Sequence, residues 1–193
     1  EPQEIDRRLK ANPKIKAVFT TLCETSTGAV NDIEAIGKVV KDTEAVLVVD
    51  AISGLGAIDL QTDAWFCDVV VSGSQKGLML PPGLGFISVS QKAWKLVEDS
   101  RCPKYYFDLK VAKKALDKTD TPFTPAITLI IALCESLKMI KQDGLENVFL
   151  RHKKMADATR AAMKALGLEL FAPLADSDVV TAVKVPQGID VEK

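Results

Sequence analysis

Hydrophobic residues follow a strand-like pattern in the first half of the chain. Residues 45–49 are continuously apolar instead of alternating with polar residues, which is typical of a strand covered on both faces in a parallel α/β sheet. Further apolar runs predict strands over residues 15–22, 68–71 and 85–89. The pattern therefore predicts an α/β fold with a mostly parallel sheet flanked by helices.

Helical periodicity alternates with these strands and then dominates the second half. A first helix is predicted after the strand 15–22, where Asn31 and Glu34 have the spacing of a capping box. Two long apolar stripes later in the chain predict helices that end at Gly144 and Gly167.

The end of the chain predicts the start of a second, smaller domain. Residues 179–185 indicate a strand, and Gly188 followed by Asp190 is the order expected of a turn that opens a helix. The chain also begins without Met. We interpret it as a fragment of a longer protein, with a partial large domain over residues 1–143. Residues 144–193 are interpreted as a connecting helix and the start of a small C-terminal α+β domain.

Composition narrows the class of protein. Lys and Arg number 25 against 26 Asp and Glu, a net charge of −1, so no excess of positive charge points to nucleic acid or an anionic membrane. The longest nearly apolar run, residues 126–134, is far below the roughly 20 residues that span a bilayer, and no signal peptide is recognisable. The four cysteines are widely spaced, which favours a reducing, cytoplasmic setting.

Two familiar kinds of site are poorly supported. His152 is the single histidine and falls on the apolar side of a predicted helix, so a packed or boundary histidine is a better interpretation than a triad or metal ligand. Residues 54–56 and 83–85 are bare Gly-x-Gly pieces, which are weak evidence for a nucleotide site. We expect no metal site.

A carboxylate and a lysine at predicted strand ends suit one chemistry. Asp50 ends the strand at 45–49, and Lys76 follows the strand at 68–71. A Schiff-base cofactor needs an amine for its aldehyde and a carboxylate that keeps its pyridine nitrogen protonated. Taken singly, Asp50 is better interpreted as a helix cap, Ser26 as a turn residue and Lys76 as a surface lysine. Their joint placement at strand ends favours the functional interpretation without excluding the others.

Three linked motifs resemble a known enzyme family. They are Glu24-Thr25-Ser26-Thr27-Gly28, the stretch from Val48 to Ala57, and Ser72-Gly73-Ser74-Gln75-Lys76-Gly77-Leu78 with Pro81-Pro82-Gly83. In order and spacing they are similar to the class V, fold-type I aminotransferases of the alanine-glyoxylate, serine-glyoxylate and serine-pyruvate branch. The similarity extends over essentially the whole chain. It implies part of the large domain of the fold-type I transferases that use pyridoxal 5'-phosphate (PLP).

The resemblance implies roles for the motif residues. Lys76 would hold PLP as a Schiff base and later move the proton at the α carbon of the substrate. Asp50 would pair with the pyridine nitrogen of the cofactor, and Ile52 would pack against one face of its ring.

The remaining implied contacts concern the ring hydroxyl and the phosphate. Ser26 would hydrogen-bond the cofactor near its ring hydroxyl, and Ser74 and Gln75 would help to hold the phosphate. Thr124 matches a position that reaches the phosphate of the neighbouring subunit, which implies a homodimer with shared sites.

The implied reaction is transamination of a small amino acid, such as alanine or serine, with a 2-oxo acid such as glyoxylate or pyruvate. The chain departs from the family pattern in two places. Leu22-Cys23 replaces a more polar pair, and Thr121 stands where some relatives have an aromatic residue. The phosphate loop, stacking aromatic residue and substrate-binding arginine of the family lie in segments that this chain does not include.

Two alternatives stay open at this stage. A class V cysteine desulfurase or lyase would use the same lysine and aspartate, although desulfurases commonly have a His before the lysine and need a cysteine on a mobile loop. The other alternative is an inactive piece that keeps the sheet but lacks a complete site, for which we expect weak PLP binding and negligible turnover.

Overall fold

The computed structural model describes residues 1–191 of the chain. Six helices and six strands lie within these residues. The helices are α1 (Pro2–Ala11), α2 (Ile33–Val40), α3 (Gln91–Asp99), α4 (Leu109–Leu116), α5 (Ile127–Asp143) and α6 (Leu145–Ala165). The strands are β1 (Ala17–Thr21), β2 (Cys23–Glu24), β3 (Ala29–Val30), β4 (Val46–Asp50), β5 (Val69–Gly73) and β6 (Gly85–Val89).

A four-stranded sheet in the order β1-β4-β5-β6 organises the first half of the chain. Strands β1, β4 and β5 run parallel, with Ala17 opposite Val46 and Val48 opposite Val69, whereas β6 runs antiparallel to β5. Leu47 and Val49 of β4 are fully buried, as the continuous apolar run predicts. The predicted mostly parallel α/β sheet is confirmed.

Helix α2 covers the sheet with Ile33, Ile36 and Val40, all of which are buried. Its beginning differs from the prediction. The cap is Asp32, whose carboxylate accepts a hydrogen bond from the Ala35 N–H at 2.9 Å.

Asn31, the predicted cap of that helix, makes its hydrogen bonds elsewhere. Its side-chain amide donates to the carbonyl of Thr21 at 2.9 Å, so it braces the end of β1 instead of the helix. The predicted capping box is therefore wrong by one residue, because tertiary contact with β1 competes for the Asn31 side chain.

Gly37 permits the close approach of α2 to the sheet connection. A Cβ at this position would collide with the carbonyl oxygen of Trp65. Only a residue without a side chain fits between this helix and the segment that leads into β5.

The second half of the chain is helical and much more exposed. Helices α5 and α6 end next to Gly144 and Gly167, as predicted. The strand predicted over residues 179–185 is absent from the described residues, where only an isolated bridge joins Leu170 to Val183. The backbone pairing there is one bridge long, which is too short for a strand. The helix start predicted near Gly188 is a turn in the described residues, and the helix that would follow it lies outside them.

None of the helices within residues 1–191 combines the length and the apolar character that crossing a bilayer requires.

Candidate active site

Three parallel strands end at a common edge of the sheet, and a cleft of about 270 Å³ opens there. Strand β1 ends at Thr21, β4 at Asp50 and β5 at Gly73. The cleft is lined by Thr21, Cys23, Glu24, Thr25, Asp50, Ile52, Ser53 and Lys76. Three of the predicted site residues, Asp50, Ile52 and Lys76, are thus brought together.

The carboxylate of Asp50 is held by its own turn. Its Oδ1 accepts a hydrogen bond from the Ile52 N–H at 2.9 Å, and its backbone carbonyl accepts one from the Leu22 N–H at 2.7 Å. The side chain is half-buried at the last position of a central strand. Asp50 is therefore fixed by the sheet on one side and by the turn on the other.

Lys76 lies in the connection between β5 and β6 and is exposed. Its backbone carbonyl accepts a hydrogen bond from the Met79 N–H at 2.9 Å, and Gly77 packs so closely on Leu55 that a Cβ there would collide with the Leu55 carbonyl. Within the described residues, the Lys76 amine has no hydrogen bond or ion pair. The Lys76 side chain lies at the rim of the cleft, where its amine is within reach of an aldehyde bound there.

Ser26 lies near the cleft but does not line it. Its hydroxyl and its backbone N–H both donate to Oε1 of Glu24, at 2.7 and 3.0 Å. These hydrogen bonds, that of the hydroxyl above all, lower the pKa of the Glu24 carboxyl below its usual range. The predicted contact of Ser26 with the cofactor stays a prediction and requires the hydroxyl to share or leave Glu24.

Ser74 is fully buried and its hydroxyl is engaged. It donates to the Pro81 carbonyl at 2.7 Å and accepts from the Leu84 N–H at 3.2 Å. These bonds shape the connection that carries Lys76. Its predicted phosphate contact stays a prediction. In the structure, the Ser74 hydroxyl bonds to the backbone of Pro81 and Leu84.

Gln75 and Thr124 are both exposed. The Gln75 side chain folds back over Gly73, where an added Cβ would lie 2.8 Å from its Oε1. Thr124 lies in the connection before α5 and does not line the cleft. Their predicted phosphate contacts stay predictions.

Sequence reasoning missed several lining residues. Thr25 and Ser53 join their hydroxyls across the mouth of the cleft, and Thr21 ends the edge strand. A signal was present, since Thr25 and Ser53 lie inside the motifs around Ser26 and Asp50. Which hydroxyl of a polar run faces a cleft depends on the turn of the backbone, and the sequence pattern does not specify that.

A second cavity of about 550 Å³ lies on the other side of Lys76, between the sheet connection and α6. His152 lines it, half-buried, with Nδ1 at 2.8 Å from the Val148 carbonyl. The interpretation of His152 as a packed or boundary histidine is confirmed. Among residues 1–191, no three or more His, Cys, Asp or Glu side chains gather where they could bind a metal ion.

The donor set of the smaller cleft fits PLP in four respects. Lys76 supplies an amine, Asp50 a fixed carboxylate, Ile52 an apolar surface, and Thr21, Thr25 and Ser53 supply hydroxyl donors. Its volume of about 270 Å³ lies just below the usual range for ligand pockets, roughly 300–1,000 Å³. A lysine and a strand-end carboxylate in one cleft of a mostly parallel sheet define a site suited to an aldehyde cofactor.

Comparison with known proteins identifies the family. The family model for class-V aminotransferases matches residues 1–192, so the chain belongs to the class-V aminotransferase family. A serine-glyoxylate aminotransferase from Methylorubrum extorquens is 41% identical over the whole chain and 51% of its own length. The structure of pyridoxamine-pyruvate aminotransferase from Mesorhizobium loti superposes with a TM-score of 0.94 at 33% identity, covering all of this chain and 50% of that one. This agreement confirms the fold-type I architecture.

A further relative has a different name. The "soluble hydrogenase 42 kDa subunit" of Anabaena cylindrica is 50% identical over the whole chain and 51% of its own length. The chain therefore spans about half the length of the curated relatives it matches.

Proposed function

We propose that the natural protein containing this chain is a PLP-dependent aminotransferase. It transfers an amino group from a small amino acid, alanine or serine, to a 2-oxo acid such as glyoxylate or pyruvate. The observation that carries this proposal is the presence of Lys76 and Asp50 in one cleft at the carboxyl ends of parallel strands. The serine-glyoxylate aminotransferase name of a 41% identical relative supports the substrate class.

Lys76, Asp50 and Ile52 would hold the cofactor in this cleft. Lys76 would bind its aldehyde, Asp50 its pyridine nitrogen and Ile52 one face of its ring. Ser26, Ser74, Gln75 and Thr124 are the proposed contacts to its hydroxyl and phosphate. When bound, PLP supplies an electron-withdrawing ring that stabilises negative charge on the α carbon of the substrate.

The chemical work of this chain divides between a mobile amine and a fixed carboxylate. The exposed Lys76 amine would move a proton between the α carbon of the substrate and the cofactor, which requires a side chain with reach and freedom to turn. Asp50 keeps a proton on the ring nitrogen, and its bond to the Ile52 N–H keeps its carboxylate in place. Ile52 excludes water from the ring face that it covers.

A homodimer is part of the same proposal. Thr124 would contact the phosphate bound by the other subunit, from the connection before α5. That connection is exposed next to an aromatic group in which Tyr106 stacks on Phe123 with ring centroids 4.7 Å apart. We also propose that residues 1–143 belong to the large domain, and that residues 144–193 form the connecting helix and the start of a small domain.

The desulfurase alternative is less well supported. It requires a cysteine on a mobile loop, but Cys23, which lines the cleft, lies on β2 with only 4% of its surface exposed. Burial raises the pKa of its thiol, although a hydrogen bond to Ser177 opposes that effect.

A transamination assay tests the proposal. The natural protein with PLP is supplied with alanine or serine and with glyoxylate or pyruvate, and amino acid and oxo acid products are measured. We expect turnover with at least one pair and its loss, by about a thousandfold or more, in Lys76→Ala. No turnover with any pair, together with sulfide release from cysteine, would overturn the proposal. Hydrogen production without transamination, the activity that the name of the Anabaena cylindrica relative suggests, would overturn it as well.

The 193-residue chain alone provides a second measurement. We expect it to bind PLP weakly or not at all, because the chain spans only about half the length of its relatives and this half alone forms the cleft. A strong visible band of lysine-bound PLP that disappears in Lys76→Ala would contradict the expected weakness and support the site.

A further inference from the structure

A short segment near the end of the chain crosses over the β2–β3 hairpin. We call residues 175–178 the strap. The Ala175 carbonyl accepts a hydrogen bond from the Val30 N–H at 2.7 Å, and Asp176 forms a bridge with Ala29. The strap thus pairs with β3, the outer strand of the hairpin, over these two residues.

A side-chain contact joins the strap to the β2 side as well. The Cys23 thiol donates to the Ser177 hydroxyl at 3.1 Å, and the same hydroxyl accepts the Val179 N–H at 3.0 Å. Ser177 is fully buried and Cys23 nearly so. The strap therefore covers Cys23, a hairpin residue that also lines the cleft.

Arg160 of α6 fastens the strap. Its side chain is 9% exposed, and its Nη1 donates to the Ser177 carbonyl at 2.7 Å. Its Nε lies 2.9 Å from Asp176, and its Nη2 lies 3.2 Å from Asp178. Asp157, on the same helix, is held by Nη2 at 2.5 Å. One guanidinium thus binds the strap at three successive residues.

The charges around Arg160 are unbalanced. Three carboxylates, those of Asp157, Asp176 and Asp178, contact the Arg160 guanidinium, and the one further cation in contact with them among the described residues is Lys153, at Asp157. The Arg160 hydrogen bond, with a weaker contribution from Lys153, lowers the pKa of Asp157. Burial lowers the pKa of Arg160, but its bonds to Asp157 and Asp178 outweigh burial and raise it overall. Without the guanidinium, the two strap carboxylates would repel each other and Asp157.

The hairpin depends on such support because it is small. Its strands β2 and β3 contain two residues each, and an isolated two-stranded ribbon is at best marginally stable. Yet this hairpin places Cys23, Glu24 and Thr25 in the cleft that also contains Lys76 and Asp50. The contacts that hold the hairpin, among them those of the strap, therefore help to fix this wall of the cleft.

We propose that Arg160 is a positioning residue, which fastens the strap over the β2–β3 hairpin and so holds one wall of the cleft at the spacing that PLP requires. The effect on PLP rests on the proposed function, whereas the effect on the hairpin does not. Arg160 touches neither Lys76 nor Asp50, and it acts through Ser177 and Cys23.

Thiol labelling tests the fastening without cofactor. The natural protein is treated with iodoacetamide, and the labelling rate of each cysteine is followed by peptide mass spectrometry. In Arg160→Gln we expect Cys23 to be labelled about tenfold faster or more, because the strap opens more often. Cys67, which is buried but remote from the strap, serves as the internal reference and keeps its rate.

Three variants complete the experiment. Arg160→Lys keeps the charge and is expected to fall between wild type and Arg160→Gln. Lys153→Gln removes another cation that binds Asp157 but does not touch the strap, so its Cys23 rate stays that of wild type. If Arg160→Gln does not fold, Ser177→Ala replaces it and is expected to accelerate Cys23 labelling in the same selective way. An unchanged Cys23 rate, or equal acceleration of Cys23 and Cys67, would overturn the proposal.

Cofactor binding and kinetics test the consequence for the cleft. In Arg160→Gln we expect PLP to bind roughly ten- to a hundredfold more weakly, with a smaller fall in kcat once PLP saturates the enzyme. Unchanged PLP affinity alongside fast Cys23 labelling would overturn the positioning role. If wild type itself binds no PLP, the proposed function fails, and selective Cys23 labelling still decides whether Arg160 fastens the strap.

Discussion

The cleft has two different walls. One is formed by the ends of the parallel strands and the connection after β5, and it contains Asp50 and Lys76, whereas the other is the β2–β3 hairpin. The sheet wall stands on β4, where Leu47 and Val49 are fully buried and strands pair on both sides. The hairpin wall has two residues in each strand and is held by the strap and by the hydrogen bond between Thr25 and Ser53. Asp50, whose proposed role requires a fixed position, therefore lies at the end of a well-supported strand, whereas Lys76 is exposed in the connection that follows β5.

This difference predicts different responses to mutation. A change in the sheet wall acts directly on chemistry or on the core, because its residues are fixed by many neighbours. A change in the hairpin wall acts through a few hydrogen bonds and is expected to have smaller, more local effects. The predictions below test that distinction.

The largest effect is expected from the carboxylate of the sheet wall. Asp50→Asn removes the negative charge proposed to keep the cofactor ring protonated, so kcat/KM should fall by about a thousandfold. Glu24→Gln, the matched change on the hairpin wall, keeps an acceptor for Ser26 and should stay within about tenfold of wild type. Steady-state transamination kinetics of the natural protein measure both, and equal losses would remove the distinction between the walls.

The next effect concerns the packing beneath the sheet wall. Gly37→Ala should lower the free energy of unfolding by about 3 kcal/mol, because the new Cβ collides with the Trp65 carbonyl and outweighs the better helix propensity of alanine. Gly85→Ala is the control, since nothing lies within 4 Å of the added Cβ. Urea unfolding should place that control within about 0.5 kcal/mol of wild type. A Gly37→Ala variant as stable as wild type would contradict the close approach.

A smaller loss is expected where the strap meets the hairpin. Ser177→Ala leaves the Val179 N–H and the Cys23 thiol without their buried partner, which should lower the free energy of unfolding by about 1 to 2 kcal/mol. Thr159→Ala removes an exposed hydroxyl bonded to its own helix and should change stability little. Comparable losses in the two variants in urea unfolding would show that the strap contact contributes nothing special.

The smallest effect is a pH dependence at the base of the sheet wall. Burial, followed by the nearby Asp68 and Asp63, raises the pKa of Cys67 from 9.0 to about 11. The folded protein therefore keeps the proton that the unfolded chain releases, so stability is full below about pH 9 and falls as pH rises towards 11. At pH 10 the loss should be about 1 kcal/mol.

The control for this prediction is Cys67→Ala. Between pH 8 and pH 10, its stability should fall by less than that of wild type, and the difference isolates the thiol from the many lysines that titrate nearby in pH. Identical pH dependence in urea unfolding would show that the Cys67 thiol ionises as freely in the folded state as in the unfolded one.

Much of the fold was predictable where burial was simple. The continuous run at 45–49 predicted β4 because a strand covered on both faces has no polar side, and the stripes before Gly144 and Gly167 predicted α5 and α6. The strand predicted over residues 179–185 was wrong because the backbone there pairs only through the single bridge between Leu170 and Val183, so these residues have no partner strand of useful length within the described part of the chain.

The candidate site divides in the same way. Asp50, Ile52 and Lys76 could be predicted together because parallel strands end at one edge of a sheet. The position of Ser74 could not, since its hydroxyl bonds to Pro81 and Leu84 across a loop whose path is not local.

The sequence by itself therefore determined the sheet, the family motifs and the meeting of Asp50 with Lys76, because these follow from short-range periodicity and from the order of strands. Only the tertiary structure decided how the opposite wall is held. Arg160 lies more than a hundred residues from the hairpin in sequence, and its contacts with the strap depend on how α6 packs. Hydrogen bonds and ion pairs between distant segments leave no local pattern in the sequence. The contacts between Arg160, the strap and the hairpin are therefore seen only in the folded chain.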